Sequence, residues 1–244
     1  MKTISSKNML FAFWVTMGLV LFTTGIACSN SNNDTNVSSD EALKMLMDGN
    51  KNYVENHLTN AARAGSSSRE LLANSQKPYA IVLTCSDSRL PPELIFDKGL
   101  GEIFVIRVAG NIPDPVVLGS IEYAAEHLGS SLILVLGHER CGAVTATVDA
   151  KGKSTGSANI DAIVKTIKPN VQIAENQCAA CKGDKNCAAT KKKEFVECVI
   201  DANAKTVAAN LTKKSKILKH LAESKKIKIV VAKYDLDDGK VTLF

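Results

Sequence analysis

A chain of 244 residues with 30 basic and 25 acidic side chains has a formal net charge of +5, which is too small to favour nucleic acid as a partner. Aromatic residues make up only 5% of the sequence, which also argues against a surface that stacks bases. The sequence contains no glycine-rich phosphate-binding fingerprint, and this disfavours a nucleotide-dependent enzyme.

The N-terminal segment has the pattern of an export signal. Lys2 and Lys7 precede a nearly continuous apolar run over residues 9–27, which ends in small residues immediately before Cys28. A membrane-spanning anchor is the alternative, because the run approaches the roughly 20 apolar residues that a span needs. We predict a signal peptide over residues 1–27 and therefore an exported protein, either periplasmic or a cell-envelope lipoprotein of a bacterium.

The residues around the expected cleavage point resemble a bacterial lipoprotein box, in which the cysteine becomes the lipidated first residue. Gly25 stands where that motif usually has leucine, so a lipidated form attached to the membrane through Cys28 and a soluble cleaved form both stay open. Residues 28–39 are rich in Ser, Asn and Asp, and we predict a flexible tether there. The folded domain is then expected over residues 40–244, a length that suits one core.

Strands and helices alternate in the rest of the chain. An N-terminal helical arm is predicted over residues 40–53, and further helical patterns lie around 117–128, 195–202 and 217–221. Four runs are almost continuously apolar, as is typical of strands buried on both faces, and these runs are 79–84, 103–108, 132–136 and 227–233.

The alternation predicts an α/β fold with a mainly parallel central sheet flanked by helices. The last segment, residues 234–244, is expected to turn at Asp238-Gly239 and form an edge hairpin.

Three candidate metal ligands follow from this arrangement. Cys85 comes directly after the first predicted strand and His138 directly after the third, and in open α/β sheets ligands gather at the carboxyl ends of the strands. Cys141 lies three residues after His138, at an expected helix start whose dipole favours the thiolate. Each residue alone is more often an ordinary core side chain. Two thiolates and one imidazole together predict a catalytic zinc site with an open fourth position.

The motifs Cys-x-Asp-x-Arg, beginning at Cys85, and His-x-x-Cys-Gly, beginning at His138, are similar to the signature of the β-class carbonic anhydrases. The resemblance covers nearly the whole chain after the export segment. It implies one zinc ion per chain and the reversible hydration of carbon dioxide to bicarbonate and a proton by zinc-activated water. The zinc ligands that it implies are Cys85, His138 and Cys141.

The same resemblance implies roles for further residues. Arg89 would keep Asp87 ionised and oriented, Asp87 would take the proton of the activated water and orient its oxygen, and Gln76 would donate an amide hydrogen to the substrate. The substrate pocket would include Phe104, Tyr123, Val82 and Gly142. Val82 stands where the bicarbonate-switched branch of the family has tryptophan, which points to the plant-like, open-site branch. Pocket residues of this family come partly from a neighbouring subunit, so a homodimer or higher homo-oligomer is implied.

Two other functions stay open on the sequence. One is a zinc hydrolase of carbonyl sulfide or carbon disulfide on the same scaffold, because only the shape of the pocket would differ. The other is a non-catalytic exported protein that binds zinc or thiols. The presence of Asp87, Arg89 and Gln76 argues against this second alternative, because metal storage does not require them.

Four further cysteines lie in a predicted insertion, residues 170–198, that the family resemblance does not explain; they are Cys178, Cys181, Cys187 and Cys198. We favour two disulfides because the protein is expected in an oxidising compartment, although the sequence cannot choose among the three possible pairings. A second, structural zinc site of four thiolates is the alternative. A redox-active Cys-x-x-Cys is disfavoured because the usual strand-to-helix context is missing.

Overall fold

A computed structural model describes residues 37–181, 184 and 186–244 of the protein. This part of the chain has an α/β fold built on a five-stranded sheet with the order β2-β1-β3-β4-β5. The strands are β1 (Ala80–Thr84), β2 (Ile103–Arg107), β3 (Leu132–His138), β4 (Lys228–Tyr234) and β5 (Val241–Leu243). The first four are parallel and β5 runs antiparallel to β4. The mainly parallel sheet and the edge hairpin are therefore confirmed.

The helices lie in the intervals between these strands and at the N-terminus. In the described residues they are α1 (Ser39–Val54), α2 (Ser66–Leu72), α3 (Pro92–Ile95), α4 (Pro115–Glu126), α5 (Gly142–Ala150), α6 (Ala158–Gln177), α7 (Cys187–Thr190), α8 (Lys192–Lys214) and α9 (Lys216–Glu223). The predicted helical patterns correspond to α1, α4, α8 and α9. The third strand is two residues longer than predicted, so that His138 is its last residue and pairs with Tyr234.

Helix α1 begins earlier than the sequence indicated. Ser38 is its N-cap and accepts a hydrogen bond from the Glu41 N–H at 3.2 Å. The Val37 carbonyl accepts a hydrogen bond from the Ser131 hydroxyl at 2.7 Å. Residues 37–39, which the sequence assigned to the tether, therefore belong to the folded unit.

The predicted signal peptide, residues 1–27, and the candidate lipidation site Cys28 lie outside the described residues. Across the part of the chain that is described, no helix combines the length and apolar character needed to cross a membrane.

Hydrophobic clusters cover both faces of the sheet, because successive strand side chains point to opposite sides. On one face Val82 and Leu134 pack with residues of α1, α3 and β5. On the other face Ile81 and Val135 pack with residues of α4, α8 and α9. Buried Asn50 of α1 also donates to the Gly239 carbonyl at 2.9 Å, so the predicted N-terminal arm is bound directly to the C-terminal hairpin.

A third cluster lies beyond the carboxyl ends of β1 and β3, where α5, α6 and α8 pack around Cys85 and Cys141. The four cysteines of the predicted insertion belong to the same cluster and form the disulfides Cys178–Cys198 and Cys181–Cys187. The structure thus agrees with the disulfide interpretation and selects one of the three pairings.

Candidate metal centre

Cys85, His138 and Cys141 converge at the carboxyl edge of the sheet. Strands β1 and β3 are parallel neighbours with Thr84 paired to Leu136, so the residues that follow these positions reach the same edge. Each of the three offers one ligand atom, and these atoms all lie within 4.8 Å of one another. All three residues are at most 5% exposed. The sequence prediction that they meet is confirmed.

The hydrogen bond of His138 determines which ring nitrogen can bind a metal. Its Nδ1 lies 2.8 Å from the Glu139 carbonyl oxygen, and because a carbonyl oxygen only accepts, Nδ1 carries the proton. The lone pair is then on Nε2, which is buried and has no hydrogen-bond partner. A metal-binding histidine typically has this arrangement, with the second ring nitrogen bonded to a carbonyl group.

The two thiols form a coupled pair. The pKa of Cys85 is lowered, mainly by a hydrogen bond from the Cys141 thiol and also by the Gly110 N–H, which lies 3.4 Å from Sγ. The pKa of Cys141 is raised, mainly by the Cys85 thiolate and by burial. In the metal-free pair, one thiolate and one thiol therefore share a proton.

Cys141 is the N-cap of α5, as the sequence predicted. The N–H groups of Ala143 and Val144 at this helix start lower the pKa of Cys141, but the neighbouring Cys85 thiolate has the larger effect. The helix start thus acts in the predicted direction, and a thiolate at Cys141 in the metal-bound site stays a prediction. A divalent cation would compensate both sulfur charges, and two sulfurs with one imidazole nitrogen are ligands suited to zinc.

An aspartate–arginine pair lies beside this cluster. Asp87 Oδ1 accepts hydrogen bonds from Arg89 Nε at 2.9 Å and from the Arg89 backbone N–H at 3.0 Å, and Oδ2 accepts from Nη2 at 2.7 Å. The Arg89 side chain is the main cause that holds the pKa of Asp87 well below its usual range. The Asp87 side chain is 17% exposed and that of Arg89 is 51% exposed, so the pair is at the surface of the cluster.

Three residues that were not among the predicted site residues hold the loop that carries Cys85. Arg107, at the end of β2, donates from Nε to the Cys85 carbonyl at 3.0 Å and from Nη2 to the Asp87 carbonyl at 2.5 Å. Gly110 has φ +70, and an added Cβ would lie 2.7 Å from Ile167 Cδ1. Its carbonyl accepts from buried Asn203 at 2.9 Å. Arg107 could have been found from the sequence, because it is a charged residue at the end of an apolar strand. Nothing in the sequence pointed to Asn203.

The predicted pocket residues do not all reach this cluster within one chain. Gln76 and Tyr123 line a separate depression of about 760 Å³, and both are exposed. Phe104 is partly buried against the α4 side of the sheet. Val82 is fully buried in the opposite core cluster, so its side chain does not line an open pocket. Gly142 is exposed at the start of α5, directly after Cys141.

Comparison with known proteins agrees with this arrangement. A family model described as "Carbonic anhydrase" matches residues 80–241, from the first residue of β1 into β5. The chain belongs to the carbonic anhydrase family. Carbonic anhydrase 2 of Mycobacterium tuberculosis is 34% identical over 209 residues, which cover 85% of this chain and 94% of that relative. The enzyme class predicted from the sequence is confirmed.

Solved structures of β-carbonic anhydrases have the same fold. The enzyme CafA of Aspergillus fumigatus is 26% identical, with a TM-score of 0.59 over 75% of this chain and 85% of that protein. A β-carbonic anhydrase from Sordaria macrospora, described as tetrameric, is 22% identical, with a TM-score of 0.61 over 72% and 84% of the two chains. These comparisons confirm the β-carbonic anhydrase fold.

Proposed function

We propose that this carbonic anhydrase hydrates carbon dioxide reversibly with a zinc ion held by Cys85, His138 and Cys141. The observation that carries the proposal is the buried, unpartnered Nε2 of His138, which converges with two thiol sulfurs. A buried nitrogen that can accept a hydrogen bond but has no donor is costly unless a cation occupies the position opposite it. When bound, zinc supplies a Lewis acid that lowers the pKa of a water molecule.

Asp87 is the proposed hydrogen-bond acceptor and orienting group. Because Arg89 holds its pKa low, Asp87 stays a carboxylate throughout the neutral range and can accept a hydrogen bond but not donate one. A reacting water that donates to Asp87 has its oxygen lone pair fixed in direction, and this favours attack on a carbon dioxide molecule beside it. Arg107 supports the step by holding the backbone on which Asp87 is carried.

A second copy of the chain is the proposed source of the missing pocket residues. Within one chain, Gln76 and Tyr123 line a depression that does not include the zinc ligands. They could therefore contribute to a metal centre only if that centre belongs to a neighbouring subunit. The tetrameric Sordaria macrospora relatives are consistent with a homodimer or a larger homo-oligomer.

Export to an oxidising compartment is the proposed location. The two disulfides support it, since disulfides persist outside the cytoplasm and are rare inside it. Fractionation of cells that make the natural chain tests the location, and recovery of the protein in the cytoplasm with its full N-terminal segment would contradict it.

Stopped-flow measurement of carbon dioxide hydration, with zinc quantified in the same sample, tests the proposed activity. We expect about one zinc ion per chain, and a large loss of kcat in Asp87→Ala without loss of zinc. Asp161→Ala is a matched control, because Asp161, in the first turn of α6, also accepts three hydrogen bonds, but from Ser154 and Thr155 in the preceding loop. Zinc-loaded protein that does not hydrate carbon dioxide, or an Asp87→Ala variant as active as the control, would refute the proposal.

A further inference from the structure

The turn between His138 and Cys141 has an unusual backbone conformation. Arg140 lies between the two ligands and has a positive φ of 52°, which an L side chain adopts only at a cost of about 1–2 kcal/mol. Any relaxation of this residue would move His138 and Cys141 relative to each other. The turn therefore needs support from outside its own segment.

Glu197 supplies a direct contact to this turn from α8. Its Oε1 accepts a hydrogen bond from the backbone N–H of Arg140 at 2.8 Å. The two residues are 57 positions apart in the sequence, so the contact depends on the packing of α8 against the sheet. A carboxylate that accepts from a backbone N–H forms a charge-assisted hydrogen bond, which is stronger than a neutral one.

The Glu197 carboxylate is held in turn by Lys233. Glu197 Oε2 lies 2.7 Å from Lys233 Nζ, and the lysine side chain is only 18% exposed. Burial by itself lowers the pKa of Lys233, but its contacts with Glu197 and Asp201 outweigh this effect and raise the pKa, so the ammonium group stays charged. Lys233 pairs with Gly137 across β3 and β4, directly before His138, so the lysine also lies on the strand that adjoins the turn.

We propose that Glu197 is a positioning residue for the metal centre: anchored by Lys233, it fixes the Arg140 turn and thereby the separation of the ligands His138 and Cys141. This inference rests on the proposed function, in which that cluster binds zinc. A group that supports metal ligands in this way typically changes metal affinity about 10–100-fold when it is removed.

Asp201 provides a matched control for this proposal. Asp201 lies on the same helix as Glu197, and its Oδ1 is 3.0 Å from the same Lys233 Nζ. Asp201 pairs with the lysine, whereas Glu197 also accepts from the turn. Asp201→Ala and Glu197→Ala each remove one carboxylate from Lys233, and only Glu197→Ala also removes the acceptor of the Arg140 N–H. Glu197→Gln keeps an oxygen acceptor and removes the charge.

The test is zinc affinity, measured on the purified chain by competition with a chelator of known affinity. We expect Glu197→Ala to raise the zinc dissociation constant about 10–100-fold, and Asp201→Ala to change it less than about threefold. Glu197→Gln should recover part of the lost affinity, because its amide oxygen can still accept from Arg140 although its amide group no longer pairs with Lys233. Thermal unfolding of the metal-free variants checks that both alanine variants fold.

A Glu197→Ala dissociation constant within about threefold of the Asp201→Ala value would overturn the proposal. Equal losses in the alanine and glutamine variants would also overturn it, because they would assign the effect to charge and not to the hydrogen bond. The measurement uses no carbon dioxide, so a chain that binds zinc without hydrating carbon dioxide would refute the proposed function and still allow this comparison to decide the role of Glu197.

Discussion

Removal of the Cys178–Cys198 disulfide should destabilise the domain that carries the metal centre. Cys178 is the C-cap of α6 and Cys198 lies in α8, so this bond joins two helices that pack beside Cys141. The bond closes a segment of 20 residues. For a loop of this length, the restriction of the unfolded chain contributes about 3 kcal/mol at 25 °C.

The second disulfide closes a shorter segment and allows the stabilisation by two disulfides to be compared within one protein. Cys181–Cys187 closes a segment of only 6 residues, for which the same relation gives about 2 kcal/mol. In a domain of this size, 1 kcal/mol shifts the unfolding temperature by about 2–4 °C. We therefore expect Cys178→Ala/Cys198→Ala to lower the Tm by about 6–12 °C, and Cys181→Ala/Cys187→Ala to lower it by about 4–8 °C.

Thermal and urea unfolding of the two double variants, each with zinc quantified, are the measurements. Alkylation of the unreduced, denatured protein, followed by peptide mass analysis, should label Cys85 and Cys141 but none of the four paired cysteines. Labelling of those four without reductant would refute the disulfides. A Cys178→Ala/Cys198→Ala variant as stable as the natural chain would refute the argument that this disulfide stabilises the domain by restricting the unfolded chain.

Three further predictions concern single residues. Arg89→Lys should lower kcat/KM for hydration about 10–100-fold with zinc content unchanged, because an ammonium group cannot replace both guanidinium hydrogen bonds, and stopped-flow rates test this. Asn203→Ala should lower the free energy of unfolding by about 1–3 kcal/mol in urea titrations, since it leaves the Gly110 carbonyl without its buried donor. Burial raises the pKa of Asp97, but hydrogen bonds from Asn52 and neighbouring groups outweigh this and lower it. The ionised Asp97 therefore stabilises the fold above about pH 4, and this stabilisation is lost as the pH falls through the lowered pKa of the folded state. The difference in unfolding free energy between the natural chain and Asp97→Asn should shrink over that range, and a constant difference would contradict this.

The sequence predicted the sheet and the convergence of Cys85, His138 and Cys141 well because both depend on local patterns. Continuous apolar runs marked the parallel strands within one or two residues, since a strand buried on both faces can contain little else. Cys85 and His138 follow from this, because a residue at the carboxyl end of a parallel strand lies at one edge of the sheet. Of α5, only the start at Cys141 was predicted. The short helices α2, α3 and α7 were not predicted, since their apolar patterns are too brief to show a period. The 20-residue α6 was not predicted either.

The pocket residues show where sequence reasoning stopped. Val82 was assigned to the pocket from its place before Cys85, but the direction in which its side chain points depends on the alternation along β1, which turns it into the core. Gln76 and Tyr123 both line one depression that does not include Cys85, His138 or Cys141, and only the proposed second subunit would bring them to a metal centre.

The sequence by itself determined the family, the α/β class and the three residues that converge at the candidate metal centre, because strand hydrophobicity and motif spacing are properties of short segments. Only the tertiary structure decided the protonated nitrogen of His138, the sharing of a proton between Cys85 and Cys141, and the disulfide pairing. The hydrogen bond from Arg140 to Glu197 belongs to the same group. Each of these depends on atoms brought within a few ångströms by packing between distant segments, and hydrogen bonds and charge interactions at that range set protonation and bonding.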